Sequence, residues 1–520
     1  MRVKYSWALA LLLAGCQLTQ QTQTDTTKDT NKPIKPTPES VTKTPASVPS
    51  DKPLVTITPQ DQQDVWQRIA MQLEMRVPDE QKVNYYRTWY LKHPNHLKVV
   101  SERAKPFLYL ITTKIEQRNM PMELALLPVV ESSFDAFAYS HGSAAGLWQF
   151  VSATGKTYGL EQNFWYDGRR DVDAATDAAL DYLEALNKRF DGNWEHAIAA
   201  YNSGGGRVSR AIRKNQKLGK PTDFFSLDLP KETSSYVPKL LALADVIANQ
   251  KKYGIGLPTI PNKPVVQLVD PKEQLDLAIA ANYAGISVKE LQSLNPAYNQ
   301  WATSPNGPQQ LLLPIDSVAH FTANVSKNRG KGMKLVHYKV KSGDTLSVLA
   351  NQYNTTSKVI RKANNLSNNN IRIGQYLMIP TSTKDEQAYT LSAANRLKQT
   401  QQRSRGQFKL THTVKSGESL WSIAKANKVS SGALAKWNGM GPRDTLRVGQ
   451  KLVIWKNASD GKIIRTVFYS VRSGDTLSGI AKKFKVRSQD VVKWNGLSAG
   501  RYLQPGQKLK LYVDVTKVSV

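Results

Sequence analysis

Residues 120–134 read Met-Pro-Met-Glu-Leu-Ala-Leu-Leu-Pro-Val-Val-Glu-Ser-Ser-Phe, and the fold turns on how this stretch is read. Pro121 suits the first turn of a helix, where a missing N–H costs nothing. Leu124, Leu127 and Pro128 then recur at helical spacing, and the next position on their stripe is Glu131. A carboxylate thus falls where a buried apolar side chain is expected. Pro128 removes one helical hydrogen bond, so a kink is expected just before the acid. Desolvation at such a place raises a carboxyl pKa and lets the group hold, then donate, a proton near neutral pH. Spacing alone favours a glutamate that ends its helix and faces water, the usual place for this residue.

Two later motifs separate these possibilities. Gly146-Leu147-Trp148-Gln149 and Ala200-Tyr201-Asn202 lie downstream, and with Glu131-Ser132 they resemble the three motifs of the lytic transglycosylases, which share a goose-type lysozyme-like fold. Leu229-Pro230-Lys231-Glu232-Thr233 and Tyr236-Val237-Pro238 extend the match towards the membrane-bound members of the family. The resemblance implies a mainly α, lysozyme-like domain over residues 60–260 with Glu131 as catalytic acid and base. Ser132, Gly146, Leu147, Trp148, Gln149, Tyr201, Asn202, Glu232 and Tyr236 would bind substrate. The family places Tyr201 beside the glutamate with its hydroxyl free to hydrogen-bond. It often carries Ala-Gly-Pro-Gly where this chain has Ser203-Gly204-Gly205-Gly206, so the resemblance does not fix the loop conformation there. His141 is read as a loop residue, since the family motif assigns it no role. Asp173 is the expected N-cap of a helix over 174–190. Residues 230–238 followed by a helix over 240–250 are expected to close the domain.

Charge divides the chain unevenly. Of a net +30 over 520 residues, residues 331–520 carry 34 Lys+Arg against 9 Asp+Glu, while residues 1–330 are nearly balanced. A basic C-terminal half favours polyanions, whether nucleic acid, anionic lipid or an acidic cell-wall polymer. The single cysteine, Cys16, excludes an intramolecular disulfide and a thiolate metal site. His93-Pro94-Asn95-His96 is read as a surface turn, not a ligand set. No metal or other cofactor is expected.

Arg2 and Lys4 precede an apolar run over residues 7–13, the pattern of a secretory signal peptide over 1–15 and too short to span a bilayer. Leu13-Ala14-Gly15-Cys16 resembles the bacterial lipobox, which implies lipidation of Cys16. Gln17 is not the aspartate associated with inner-membrane retention. The expected location is therefore the cell envelope, anchored in the outer membrane and facing the periplasm. Residues 16–53, rich in Thr, Gln, Lys and Pro, are expected to be a disordered tether with a reach of roughly 30–40 Å.

A unit of about 45 residues then repeats at 337–380, 412–455 and 469–513. Each copy begins with a strand and a Lys/Arg-Ser-Gly-Asp/Glu-Ser/Thr-Leu turn, continues through two short helices, and ends in Gly-Gln-x-Leu. It resembles the small α+β (βααβ) LysM module that binds N-acetylglucosamine-containing glycans. The resemblance assigns glycan binding to Gly343, Asp344, Thr345 and Leu346, to Gly417, Glu418, Ser419 and Leu420, and to Gly474, Asp475, Thr476 and Leu477. The second copy departs at Asn427, where the others carry Tyr353 and Phe484. Thr476 and Ser488 are expected helix N-caps. Residues 265–315 follow the same strand and helix order without the Ser-Gly-Asp signature, and read as a degenerate LysM-like unit packed on the enzyme. Residues 316–334, 381–410 and 456–466 read as a lead-in and flexible linkers. Linked weak sites raise avidity by about 10²–10⁴, so a cut near Lys327 is expected to spare short soluble glycans and impair binding to intact sacculi.

The chemistry implied is cleavage of the β-1,4 bond between N-acetylmuramic acid and N-acetylglucosamine in peptidoglycan glycan strands. Glu131 would protonate the glycosidic oxygen, then activate the muramoyl C6 hydroxyl to close a 1,6-anhydro ring. Asp167, Asp171 and Asp173 leave open a hydrolytic muramidase with a second carboxylate. A non-catalytic peptidoglycan-binding lipoprotein is the alternative from another class. Nucleic acid is not an expected partner, because a secreted chain has little access to it and its basic residues lie within carbohydrate modules.

Overall fold

The computed structural model describes residues 57–140, 142–457, 464–497 and 503–515. The expected signal peptide, Cys16, the tether over 16–53 and His141 lie outside the described residues. Among those described, no helix is long and apolar enough to cross a membrane.

The first half is helical and is built around helix Thr233–Ala248, whose buried residues (among them Tyr236, Val237, Leu240, Leu241, Leu243 and Ile247) go all the way round it. A helix with that pattern belongs in a core, and this one packs against Gln81–Lys92 and Trp194–Ser203. Pro238 lies inside it, where the expected boundary between residues 230–238 and the closing helix would fall. Proline cannot donate to the carbonyl four residues back; here Lys82 Nζ donates to that carbonyl, Ser234 O, at 3.3 Å. Asp64 closes the domain on itself, accepting from Trp66 N (3.2 Å) at the start of the first helix and from Ile260 N (3.0 Å) near the end.

Several local expectations change. The segment around Glu131 is not one kinked helix: a 3-10 helix, Met122–Leu126, gives way to a short α-helix, Leu127–Ser132, with Pro128 in its first turn. There its missing N–H is harmless. The cap of helix Val172–Arg189 is Asp171, which accepts from Ala174 N at 2.9 Å; Asp173 sits within the first turn and pairs with Lys114 at 2.8 Å. Pro94 opens helix Pro94–Ala104, so the His93–His96 stretch is a helix start, with His93 stacked on Trp89 at 4.3 Å. Thr476 caps its helix, whereas Ser488 is the first helical residue after Arg487.

Four strand–helix–helix–strand units come next, each with a two-stranded antiparallel sheet: Val266–Val269 with Leu311–Pro314, Lys334–Lys339 with Tyr376–Thr381, Phe408–Thr413 with Lys451–Lys456, and Ile464–Ser470 with Lys508–Asp514. One asparagine at the end of each second helix ties that helix to the closing strand. Asn364 Nδ2 donates to Ile360 O and Met378 O while its Oδ1 accepts from Met378 N. Asn438 and Asn495 repeat the pattern. Asn295 does the same with Leu291 and Leu312, so the unit lacking the Ser-Gly-Asp turn keeps this device. That unit lies against the helical domain: Asp167 N donates to Ala297 O and Asn299 N to Trp165 O, at 2.9 and 2.8 Å.

The segment 381–410 is not a loose linker. It folds into a 3-10 turn and helix Ala393–Gln402, with Tyr389 only 2% exposed. The Tyr389 hydroxyl and Thr383 both donate to the fully buried Asp276, and Asn395 Nδ2 donates to Glu386 O and Tyr389 O. A segment this polar folds because its polar groups find buried partners. The lead-in likewise holds helix Val318–Lys327, anchored by buried Phe321.

Candidate active site

Glu131 stands in the last turn of helix Leu127–Ser132, which Ser133 and Phe134 end by turning left-handed at φ 52° and 59°. Leu127, Pro128 and Val129 go into the core, while Glu131 keeps part of its surface open. Burial pushes its carboxyl up to about 7, and the neighbouring Glu232 adds to that; the Tyr236 hydrogen bond and Lys239 oppose it. An acid so placed is half-protonated near neutral pH and can work as donor and then acceptor.

The Tyr236 hydroxyl donates to Glu131 Oε1. Burial and the Glu131 charge hold the Tyr236 and Tyr201 hydroxyls well above the ordinary tyrosine range, so both stay protonated donors. Tyr201 lies close enough to Glu131 to feel its charge, and its hydroxyl donates to Trp148 O at 2.8 Å. The tyrosine on the acid is Tyr236; Tyr201 holds the loop opposite.

That loop, Gly146–Gln149, is gripped from two sides. Ser132 Oγ donates to Leu147 O at 3.0 Å, beside the Tyr201 bond to Trp148. Gly146 adopts φ +81°, and a Cβ there would lie 1.9 Å from Arg169 O, so no other residue fits. Leu147 and Trp148 are core residues, with Trp148 Nε1 donating to Thr176 Oγ1 at 3.0 Å. Gln149, left-handed at φ 50°, donates through Nε2 to Gly146 O at 2.8 Å. Asn202 Oδ1 accepts from Thr233 Oγ1 at 2.9 Å, and Glu232 is exposed at the start of the same helix. Glycines 204–206 pass directly into helix Gly205–Lys217, with only Gly204 left-handed.

Lys239 was not singled out from the sequence. It lies three residues beyond Tyr236, one turn on, and its ammonium lies 5.3 Å from the Tyr86 ring. The three aspartates weighed as a second carboxylate have other partners. Asp167 is locked between Arg169 and Arg170, Asp171 caps its helix and accepts from the Tyr166 hydroxyl, and Asp173 pairs with Lys114. Among the described residues, no cluster of His, Cys, Asp and Glu suits a metal ion.

In the repeats, the signature side chains are occupied internally. Asp344 accepts from the Tyr338 hydroxyl and Lys341 N, and Asp475 from Tyr469 and Arg472 N. In the second copy Glu418 meets His412 and Lys415 N instead. Thr345, Ser419 and Thr476 cap helices; Gly343, Gly417 and Gly474 turn left-handed at φ 85°, 80° and 84°. Leu346 and Leu420 are buried and Leu477 partly so. Asn427 bonds Ile423 O in place of the aromatic pairs Tyr338–Tyr353 and Tyr469–Phe484. The apolar side chains left open near these turns are others: Ile373, Trp421 and Val448.

Comparison with known proteins agrees in its order along the chain. The Transglycosylase SLT domain family matches residues 109–224, and the LysM domain family residues 338–380, 412–455 and 469–511. The family described as Lytic transglycosylase MltD, LysM-like domain, matches residues 266–329. The membrane-bound lytic murein transglycosylase D of Escherichia coli K12 is 37% identical over 453 residues, 86% of this chain and 86% of that protein. The autolysin of Enterococcus faecalis is 34% identical over 185 residues, 33% of this chain and 24% of its own. The solved lytic transglycosylase Slt of Pseudomonas aeruginosa aligns with a TM-score of 0.23 and 23% identity over 29% of this chain and 25% of its own.

Proposed function

The chain belongs to the membrane-bound lytic murein transglycosylase D family, and from that premise we propose that Glu131 performs both proton transfers of the reaction. The enzyme is a peptidoglycan lytic transglycosylase carrying LysM repeats. On our reading, protonated Glu131 donates to the β-1,4 glycosidic oxygen between N-acetylmuramic acid and N-acetylglucosamine as the C1–O bond breaks. The carboxylate then takes the proton of the muramoyl C6 hydroxyl, whose oxygen bonds to C1 and leaves a 1,6-anhydromuramoyl end. Gln149, Tyr201, Asn202, Glu232 and Tyr236 line the groove for the glycan, with the backbone of Gly146–Gln149 forming its wall while the Leu147 and Trp148 side chains anchor that wall in the core. The observation that carries this is the desolvated Glu131 carboxyl, held to about 7 with the Tyr236 hydroxyl donating to it.

A one-carboxyl mechanism suits a substrate that brings its own nucleophile. The hydrolytic alternative needs a second acid at a defined separation, and Asp167, Asp171 and Asp173 are each committed to structural partners. Mass spectrometry of muropeptides released from purified sacculi tests the proposal. Anhydro ends are expected, and reducing ends alone refute it. We further propose that the LysM repeats bind glycan strands and that lipidated Cys16 anchors the enzyme in the outer membrane. Loss of membrane fractionation in Cys16→Ala is the expected outcome.

A further inference from the structure

The second LysM repeat touches the helical domain through Asp444. Asp444, in the loop 441–449 before its closing strand, accepts from the Tyr139 hydroxyl at 3.0 Å and from the Ser143 hydroxyl. Its own loop holds the carboxylate in place through Gly441 N at 2.9 Å. Both hydroxyls belong to a small hairpin closed by the Tyr139–Ala145 bridge and by Ser140 N donating to Ala144 O at 2.8 Å. The hairpin runs straight into the active-site loop, since Gly146 N donates back to Ala138 O at 3.0 Å. Arg169 Nη1 braces it from below through Ser143 O at 2.9 Å.

A second contact falls on Phe137, two residues before the hairpin. In helix Ala393–Gln402, the Arg396 guanidinium lies 4.8 Å from the Phe137 ring. That helix is held at both ends: Ala393 N donates to Asn299 O (2.8 Å) in the LysM-like unit, and Gln401 Nε2 to Asn438 Oδ1 (2.9 Å) in the second repeat. The repeat is thus fixed both directly and through the strap behind it. Counting back five residues from the Gly-Gln pair of each copy gives Asn369, Asp444 and Arg501, so the acid is peculiar to the second repeat. Trp421 and Val448, 62% and 72% exposed, stay open while the repeat is docked.

We infer that the second LysM repeat is a working part of the catalytic site, and that Asp444 is a positioning residue holding hairpin 139–145, and through it the loop Gly146–Gln149, in register with Glu131. The inference rests on the proposed placement of that loop in the substrate groove. A carboxylate accepting two side-chain hydroxyls at a half-buried site makes stronger bonds than neutral partners would. Small misplacement of a substrate-positioning loop costs rate more than binding to distant modules. The repeat array is then coupled to catalysis, and captured glycan is presented to an organised groove.

The test uses the full-length enzyme, with short soluble glycan chains as substrate and sacculus pull-down as a separate readout. Asp444→Ala is expected to lower kcat by about tenfold, leave KM and sacculus binding within about twofold, and leave the near-UV circular dichroism of the helical domain intact. Tyr139→Phe combined with Ser143→Ala approaches the contact from the other side and should reproduce the loss. The triple variant should be no slower than either, because all three changes remove one contact. Asp444→Asn, which keeps one acceptor oxygen, should recover part of the rate. Asn369→Ala, at the matching position of the first repeat, should behave as wild type. A wild-type or faster Asp444→Ala, fully additive losses, or an effect confined to sacculus binding each overturn the inference. Glu131→Gln, run alongside, separates failures: if it stays active, the groove has been misplaced; if it is dead while Asp444→Ala is normal, only the clamp is wrong.

Discussion

Replacing Glu131 by glutamine should make the enzyme both inactive and more stable, and the second effect should depend on pH in a set direction. The ordinary carboxyl value is 4.5, and burial lifts Glu131 to about 7. Below pH 4.5 the folded and unfolded chains both carry the proton, and Glu131 costs nothing. Between 4.5 and 7 the unfolded chain ionises while the folded one holds its proton, so wild-type stability falls with rising pH. Above 7 both are ionised and the penalty is constant. At about 1.4 kcal/mol per pH unit the gap amounts to about 3 kcal/mol, and the partial exposure of the group reduces the expected value to about 1–3 kcal/mol. Glutamine keeps the shape and still accepts from Tyr236, but carries no charge to desolvate. Glu131→Gln should therefore match wild type at pH 4 and unfold roughly 2–10 °C higher at pH 8, read from the helical-domain transition in calorimetry. Its turnover of purified sacculi should fall by about two to four orders of magnitude at every pH. In the wild type, kcat/KM should decline above pH about 7 as the acid is lost. A stability difference that does not vary with pH would refute the desolvation argument. Normal turnover by the glutamine variant would refute the catalytic one.

Tyr236→Phe removes a donor that favours ionised Glu131, so the alkaline limb of kcat/KM should move upward and the rate fall about tenfold; an unmoved limb would place Tyr236 outside the proton chemistry. Gly146→Ala forces a Cβ onto Arg169 O in a left-handed conformation and should cost more than ~2 kcal/mol of stability, seen as a lower midpoint in urea. Tyr389→Phe leaves the buried Asp276 one partner short and should destabilise the LysM-like unit by about 1–3 kcal/mol, with faster amide exchange over residues 266–314. Truncation after Lys327 removes Tyr389, Thr383, Arg396 and Asp444 together, so, against the expectation of a separable array, it should slow turnover of short soluble glycans as well as sacculi.

Much of this protein is legible in short windows of sequence. Glu131 interrupts an apolar stripe within a few residues of its neighbours, which marks it as a candidate acid. The burial that lifts its carboxyl is completed by the fold that brings Tyr236 and Glu232 beside it. The repeats are legible because each closes a small core with contacts inside about 45 residues. Thr476 caps its helix as the pattern predicts, and Thr345 and Ser419, read from the sequence as glycan-binding residues, cap the matching helices of the other two copies. What only the tertiary structure decided involves partners far apart in the chain. Tyr236 rather than Tyr201 meets Glu131 across 105 residues, and Asp444 reaches Tyr139 across 305. The polar stretch 381–410 looks like a linker because its own composition offers no core. It folds because Asp276, more than a hundred residues earlier, supplies the buried acceptor for Tyr389 and Thr383. Hydrophobic periodicity reports which face of an element turns inward. It carries no record of which distant polar group will be waiting there, and in this enzyme those pairings decide how the catalytic loop is held.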